Sequence, residues 1–261
     1  MQQVIDISWW QLTSFMTVLI IPLLINWHFK LGMSRDTTFA VARMTVQLIL
    51  VGFYLQFLFN LDSFLLNTLW LVLMTGVGGS AIINGAQLDY RRCYIPVILG
   101  LLCGLFPLLA LLLVHLIQPT PFYSAQYLIP LAGMLLGNSL SGNIVALQHL
   151  FNSLQDKSAE YESYLALGAT PQQASICFVQ SAMRQSLTPI IATMSTTGLV
   201  TLPGMMTGQI LSGANPMLAI KYQLIIMIAI FVMLNVSIAV ALVLIIRNGI
   251  NSSGKVLIKL S

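Results

Sequence analysis

The chain has 261 residues, 57% of them hydrophobic and only 7% charged, whereas a soluble domain carries about a quarter charged side chains. That balance excludes an ordinary soluble domain and predicts an integral membrane protein. The formal net charge of +4 does not signal a nucleic-acid partner, because the eleven Lys and Arg stand singly or in one pair and form no basic patch.

The first apolar run follows Asp6, with no basic stretch before it and no small-residue cleavage pattern, so it reads as a retained span. Crossing ~30 Å of hydrocarbon takes about 20 helical residues. Runs of that kind lie at roughly 9–28, 38–59, 64–84, 95–117, 128–150, 187–211 and 223–246, which predicts seven spans. They are continuous and not alternating, so the expected fold is an all-α membrane bundle and not a β-barrel. Residues 1–261 then form one transmembrane domain. Cys93, Cys103 and Cys177 lack metal or redox spacing and read as buried small hydrophobes.

Lys30, Arg35, Arg43, Arg91, Arg92, Lys157, Arg184, Arg247, Lys255 and Lys259 fall on one side of this arrangement and only Lys221 on the other. The positive-inside rule then puts the C-terminus in the cytoplasm and the N-terminus outside. For a bacterial chain the expected location is the inner membrane. Outer loops are short, and the longest inner connection spans roughly 152–186.

That connection reads as helix, turn, helix. Leu154, Tyr161 and Leu165 recur at helical spacing, with Asp156, Lys157, Glu160 and Glu162 between them. Gly168 can close the first helix in the left-handed conformation. Thr170 can cap the second, with Pro171 at its first position and Gln173 completing a capping box. Capping chemistry alone says only that two helices meet.

The order of residues says more. The run 162-ESYLALGATPQQA-174 followed by 187-LTPII-191 resembles the coupling motif of ABC-transporter membrane subunits, in which a short cytoplasmic helix docks on an ATPase. It departs from that broad motif at Ser163, Tyr164 and 178-FVQS-181. A narrower resemblance fits better. The blocks 42-ARMTVQLILVGFYL-55, 129-IPLAGMLLGNSLSGNIVAL-147, 167-LGATPQQAS-175 and 196-TTGLVTLPGMMTGQILSGANPMLAIKYQ-223 together resemble the FetB family of iron-export permeases, whose plant relatives are aluminium-tolerance half-transporters.

The resemblance implies ATP-driven efflux of iron or a similar metal cation, with Glu160, Glu162, Leu167, Gly168, Ala169, Thr170 and Pro171 coupling to a separate ATPase subunit. The chain has no G-x-x-x-x-G-K-[ST] loop, its nearest glycine cluster being 76-GVGGS-80 without a Lys. No cofactor is expected in this chain; ATP and Mg would serve the partner. One coupling segment per chain and two ATPases per engine predict a homodimer.

A translocation path is expected along spans five and six. Asn138, Ser141 and Asn143 are polar in an apolar run, and an amide facing lipid is costly. Gly133 and Gly137 have the small-xxx-small spacing of packed helices. In span six, Thr196 and Thr197 precede a break expected at 203-PGMMTG-208, where Pro203 removes a donor. Met205 and Met206 there read as packing or as soft ligands. His149 stands at the inner end of span five, and no residue set identifies a metal cage. Arg43 and Gln47, one turn apart in span two, either reach the interface or pair with Glu160 or Glu162 as a coupling link.

Two rival classes remain at this level. An intramembrane enzyme wants G-x-S-x-G, H-E-x-x-H or paired intramembrane carboxylates, and the chain has none of these. A proton-driven transporter wants a mid-membrane titratable group, while all seven acidic residues fall in loops or span ends; sodium coupling through carbonyls stays open.

Overall fold

The computed structural model describes residues 7–249 and 251, and these are helical apart from turns and one isolated bridge between Thr197 and Thr201. A capping box of Ser8 and Gln11 starts α1 (Trp9–Met16), which passes through a 3₁₀ turn into α2 (Ile20–His28). There follow α3 (Ser34–Leu61), α4 (Phe64–Ala86) and α5 (Tyr90–Ala110), the last extended by a π-helical turn at Leu111–Ile117. After a loop come α6 (Ala125–Asp156), α7 (Ser158–Ala166), α8 (Pro171–Thr196), α9 (Gly204–Leu211) and α10 (Pro216–Gly249).

Six helices among the described residues are long and apolar enough to span: Trp9–His28, Ser34–Leu61, Phe64–Ala86, Tyr90–Ile117, Ala125–Asp156 and Pro216–Gly249. The seventh expected span, 187–211, is not one helix. α8 stops at Thr196, Gly198 takes φ +92°, and α9 begins at Gly204. The break therefore lies upstream of the expected 203–208. Pro203 occupies the N-cap of α9, where its missing N–H has no intrahelical partner to lose, so it starts a helix and does not interrupt one.

The core is built by α4, α5, α6 and α10, with α8 laid against α6 and α10. Glycines set the closest approach. A Cβ on Gly100 of α5 would lie 2.5 Å from the Ser237 carbonyl oxygen of α10, and one on Gly104 would lie 3.1 Å from that of Met233. This Gly-x-x-x-Gly face, which the expected packing pair Gly133 and Gly137 did not include, brings two backbones together. Gly133 meets Met74, whereas Gly137 has open space beside it. Leu101, Leu105, Met233 and Leu242 fill the surrounding core. Of the cysteines, Cys93 is buried, but Cys103 and Cys177 are exposed, on helix surfaces where a thiol counts as an apolar group.

At the α3–α4 corner, the Asp62 Oδ1 accepts the Ala125 N–H at 2.8 Å and so caps the start of α6. α3 joins the bundle near there, through Leu58 against Ala125 and Ile129 and through Tyr54 against Trp70. The pair α1–α2 and most of α3 stand away from the core, with only 6% of each span buried. At 32 residues, α6 is about 48 Å long, roughly 18 Å more than the hydrocarbon core. A helix of that length has several turns to spare outside an apolar layer.

Candidate functional site: a polar helix face and the turn that ends it

The turn closes with a Schellman motif. The Gly168 N–H bonds to the Leu165 carbonyl and the Ala169 N–H to that of Tyr164, both at 3.0 Å, with Gly168 at φ +89°. α8 then opens with the expected capping box. The Gln173 N–H reaches Thr170 Oγ1 at 3.3 Å, the Thr170 N–H reaches Gln173 Oε1 at 2.9 Å, and Pro171 is the first helical residue.

The two helices are held to each other by Tyr161, 4% exposed, whose ring meets Phe178 edge-on at 6.4 Å. Burial pushes the Tyr161 phenol above its ordinary range, against a smaller opposing effect of a hydrogen bond with Ser175. The tip is open. Glu160, Glu162, Gly168 and Thr170 are exposed, Ala169 packs partly on the core, and Leu167 is 84% exposed. An apolar side chain presented on a capped, rigid turn is suited to entering a pocket on another protein.

α8 returns along α6, and His149 Nε2 lies 2.9 Å from Ser181 Oγ where they meet. From that point, exposed residues follow helical spacing on both elements. The polar ones on α6 are Asn138 and Ser141, beside exposed Gly137 and Val145; on α8 they are Ser181, Arg184, Gln185, Thr188, Thr193, Ser195 and Thr196, interrupted by exposed Pro189, Ile191 and Ala192. Several satisfy their own donors locally. Asn138 Nδ2 donates to the Met134 carbonyl at 2.8 Å and Thr188 Oγ1 to that of Arg184 at 2.7 Å. As exposed amide and hydroxyl groups they are nonetheless costly in hydrocarbon. This polar face requires cover by protein or water.

The other candidates are placed differently. Asn143 is buried and points at α10, donating to Ser237 Oγ at 2.9 Å and to the Ser139 carbonyl at 2.8 Å. It is a tie within the bundle, off the exposed face. The Thr196 carbonyl gathers the N–H groups of Leu199, Val200 and Thr201 at 3.3, 3.0 and 3.4 Å, so the loop through Thr197 folds on itself ahead of Pro203. Met205 packs partly against the core and Met206 is half-buried beside it. Arg43 and Gln47 are exposed on the outlying part of α3, and no hydrogen bond or ion pair among the described residues joins Arg43 to Glu160 or Glu162.

Two residues that sequence reading passed over stand out here. Gln209 on α9 and Gln223 on α10 each bury a side-chain Oε1 with no hydrogen-bond partner among the described residues. Their signal in the sequence is an amide within an apolar run, the same argument that singled out Asn138.

The family model described as "Uncharacterised protein family (UPF0014)" matches residues 9–250. A UPF0014 membrane protein of Synechocystis is 37% identical over 78% of this chain and 78% of its own length. Protein ALUMINUM SENSITIVE 3 of Arabidopsis thaliana is 33% identical over 81% of this chain and 76% of its own. The "Probable iron export permease protein FetB" of Escherichia coli is 30% identical over 79% of this chain and 78% of its own. No solved structure matches the chain. With its spanning helices, polar α6–α8 face and a match along nearly its whole length, this multi-pass membrane protein belongs to the UPF0014 family.

Proposed function

We propose that the chain is the permease subunit of an ATP-driven ABC exporter that moves iron or a similar metal cation out of the cytoplasm. The observation that carries this reading is the exposed, polar-rich face shared by α6 and α8, on the same helix, α8, that opens at the capped turn presenting Leu167. Polar side chains facing lipid are unfavourable, and apposing two such faces from two copies encloses them in a hydroxyl- and amide-lined path. Hydroxyl and carbonyl oxygens suit hard cations. The name of the E. coli relative, a probable iron export permease, supports metal as the cargo.

In this reading two copies pair with two ATPase subunits, which bind ATP and Mg, and Leu167 with its turn enters a groove on each ATPase. The chain lies in the bacterial inner membrane with its C-terminus in the cytoplasm. It is a transporter subunit and not an enzyme.

The test is a pull-down of the tagged chain from its native membranes, beside a Gly168→Pro variant, combined with cross-linking of an Asn138→Cys variant. An ATPase retained only by the unaltered turn, and an Asn138→Cys disulfide between copies, are the expected results. Absence of an ATPase from both samples overturns the ABC reading. Efflux that collapses with an uncoupler while ATP is maintained points instead to a secondary transporter.

A further inference from the structure

The outlying pair formed by α1–α2 and α3 encloses a cleft of about 400 Å³ lined by Met16, Leu19, Leu23, Val41, Ala42 and Val46 among others. The threonines in its wall turn their hydroxyls inward: Thr37, Thr38 and Thr45 donate to the carbonyls of Met33, Ser34 and Val41 at 2.9, 2.8 and 2.9 Å. The wall is apolar in effect. From Thr37 to Val46 the cleft follows α3 for about 13 Å at the helical rise, close to half of the ~30 Å hydrocarbon thickness. Its depth is therefore that of one leaflet.

A second cavity, about 480 Å³, opens at the loop joining α2 to α3 and is lined by Asn26, His28, Lys30 and Ser34 with Trp27 and Gly32. It lies one helical turn beyond the Leu23 and Thr37 end of the cleft, as its polar mouth would, and it offers unpaired donors. α3 begins at Ser34 with no side-chain cap, and its first hydrogen-bonded amide is that of Thr37, to the Met33 carbonyl at 2.9 Å. The N–H groups of Ser34, Arg35 and Asp36 thus lack helical acceptors. Asn26 is 6% exposed; its Oδ1 takes the Met33 N–H at 3.3 Å and so ties the end of α2 to the start of α3 in the cavity wall. Lys30 adds positive charge, as does Arg35 on the first turn of α3, against the single carboxylate of Asp36 there.

We propose that this cleft binds one anionic phospholipid, with an acyl chain between the helices and the phosphate at the basic loop. The apolar cleft alone fits any hydrocarbon. The mouth selects an anion, because its donors and its positive charge are matched by a phosphate and by no apolar occupant. A helix from a second copy fills the cleft but leaves those donors unpaired.

The test uses the full chain, stripped of lipid in detergent and incubated with equal amounts of phosphatidylglycerol and phosphatidylcholine before native mass spectrometry. The expected result is one retained phosphatidylglycerol per chain, several-fold over phosphatidylcholine. Lys30 sits at φ +51°, so Lys30→Asn removes the charge with a residue that tolerates that backbone; it is expected to level the preference. Ala42→Trp fills the cleft and is expected to reduce retention of both lipids. Thermal unfolding of each variant establishes that the fold survives. Equal retention of the two lipids by the unaltered chain, or a preference untouched by Lys30→Asn, overturns the proposal. So does cross-linking of Ala42→Cys between two copies with no lipid retained, which puts a second copy in the cleft.

Discussion

Asn143 Nδ2 donates to Ser237 Oγ at 2.9 Å across the contact of α6 with α10, and the Ser237 hydroxyl passes on to the Leu234 carbonyl at 3.2 Å. Both side chains are buried, so the tie replaces what would be unpaired polar groups in an apolar core. The alternative pairings open to a chain unfolded within a membrane keep such a bond modest. A double-mutant cycle with Asn143→Ala and Ser237→Ala, followed by unfolding in detergent, is expected to return a coupling of about 0.6 kcal/mol and no more than ~1.7 kcal/mol. Coupling near zero would mean that the two side chains do not meet in the folded protein.

The same α10 turn meets Gly100 of α5. A methyl group there would sit 2.5 Å from the Ser237 carbonyl oxygen and 3.1 Å from the Ala241 Cβ, and a backbone oxygen cannot swing aside. Gly100→Ala is expected to force the helices apart and lower stability by about 1–3 kcal/mol. Gly137→Ala is the control: nothing lies within 4 Å of its added methyl, so the helix preference for alanine should raise stability by about 0.5–1 kcal/mol. Thermal unfolding of both variants separates a packing glycine from one on an open face.

The capped turn at Gly168 was legible residue by residue, because a left-handed C′ glycine, an N-cap threonine and an N1 proline are local requirements that tertiary context does not override. The spanning helices were legible from apolar length for the same reason. The run 187–211 was not, since hydroxyl-rich α8 and the Gly198 turn end the helix before Pro203, whereas hydropathy averages across that break. Nor did the sequence separate Asn138 from Asn143. They stand five apart on α6, so one faces outward and the other faces α10, and which is which depends on where α10 packs. Gly100 and Gly104 carry the small-xxx-small signal as plainly as Gly133 and Gly137, but only the partner helix decides which pair is used.

The turn itself yields a prediction that separates fold from docking. Gly168→Ala places a Cβ at φ +89°, which costs about 1–2 kcal/mol, and Thr170→Val removes the cap for about 0.5–2 kcal/mol. Both are expected to lower stability and to weaken any ATPase capture in proportion. Leu167 is the C-cap of α7, but its cap bonds are made by the backbone and its side chain is 84% exposed, so Leu167→Asp costs at most the few tenths of a kcal/mol of an acidic group at a helix C-terminus. It should change unfolding far less than Gly168→Ala or Thr170→Val yet abolish capture in the pull-down. Capture that survives Leu167→Asp would remove Leu167 from the docking surface.

Gln209 and Gln223 pose the sharpest choice. A buried amide oxygen without a partner costs about 1–3 kcal/mol, and an apolar replacement of similar shape removes that cost. If these oxygens are only tolerated defects, Gln209→Leu and Gln223→Leu should raise stability and leave metal efflux from membrane vesicles at its original rate. If they hold the cargo cation transiently, as carbonyl oxygens can in a broken-helix transporter, stability should still rise while efflux falls severalfold. The two readings agree on stability and differ on transport, so unfolding serves as the control for folding and the efflux rate decides. We expect the second outcome, because the two amides lie on the short α9 and on α10, the helices that follow the break at 197–203, where an unpartnered acceptor has most to gain from a cation.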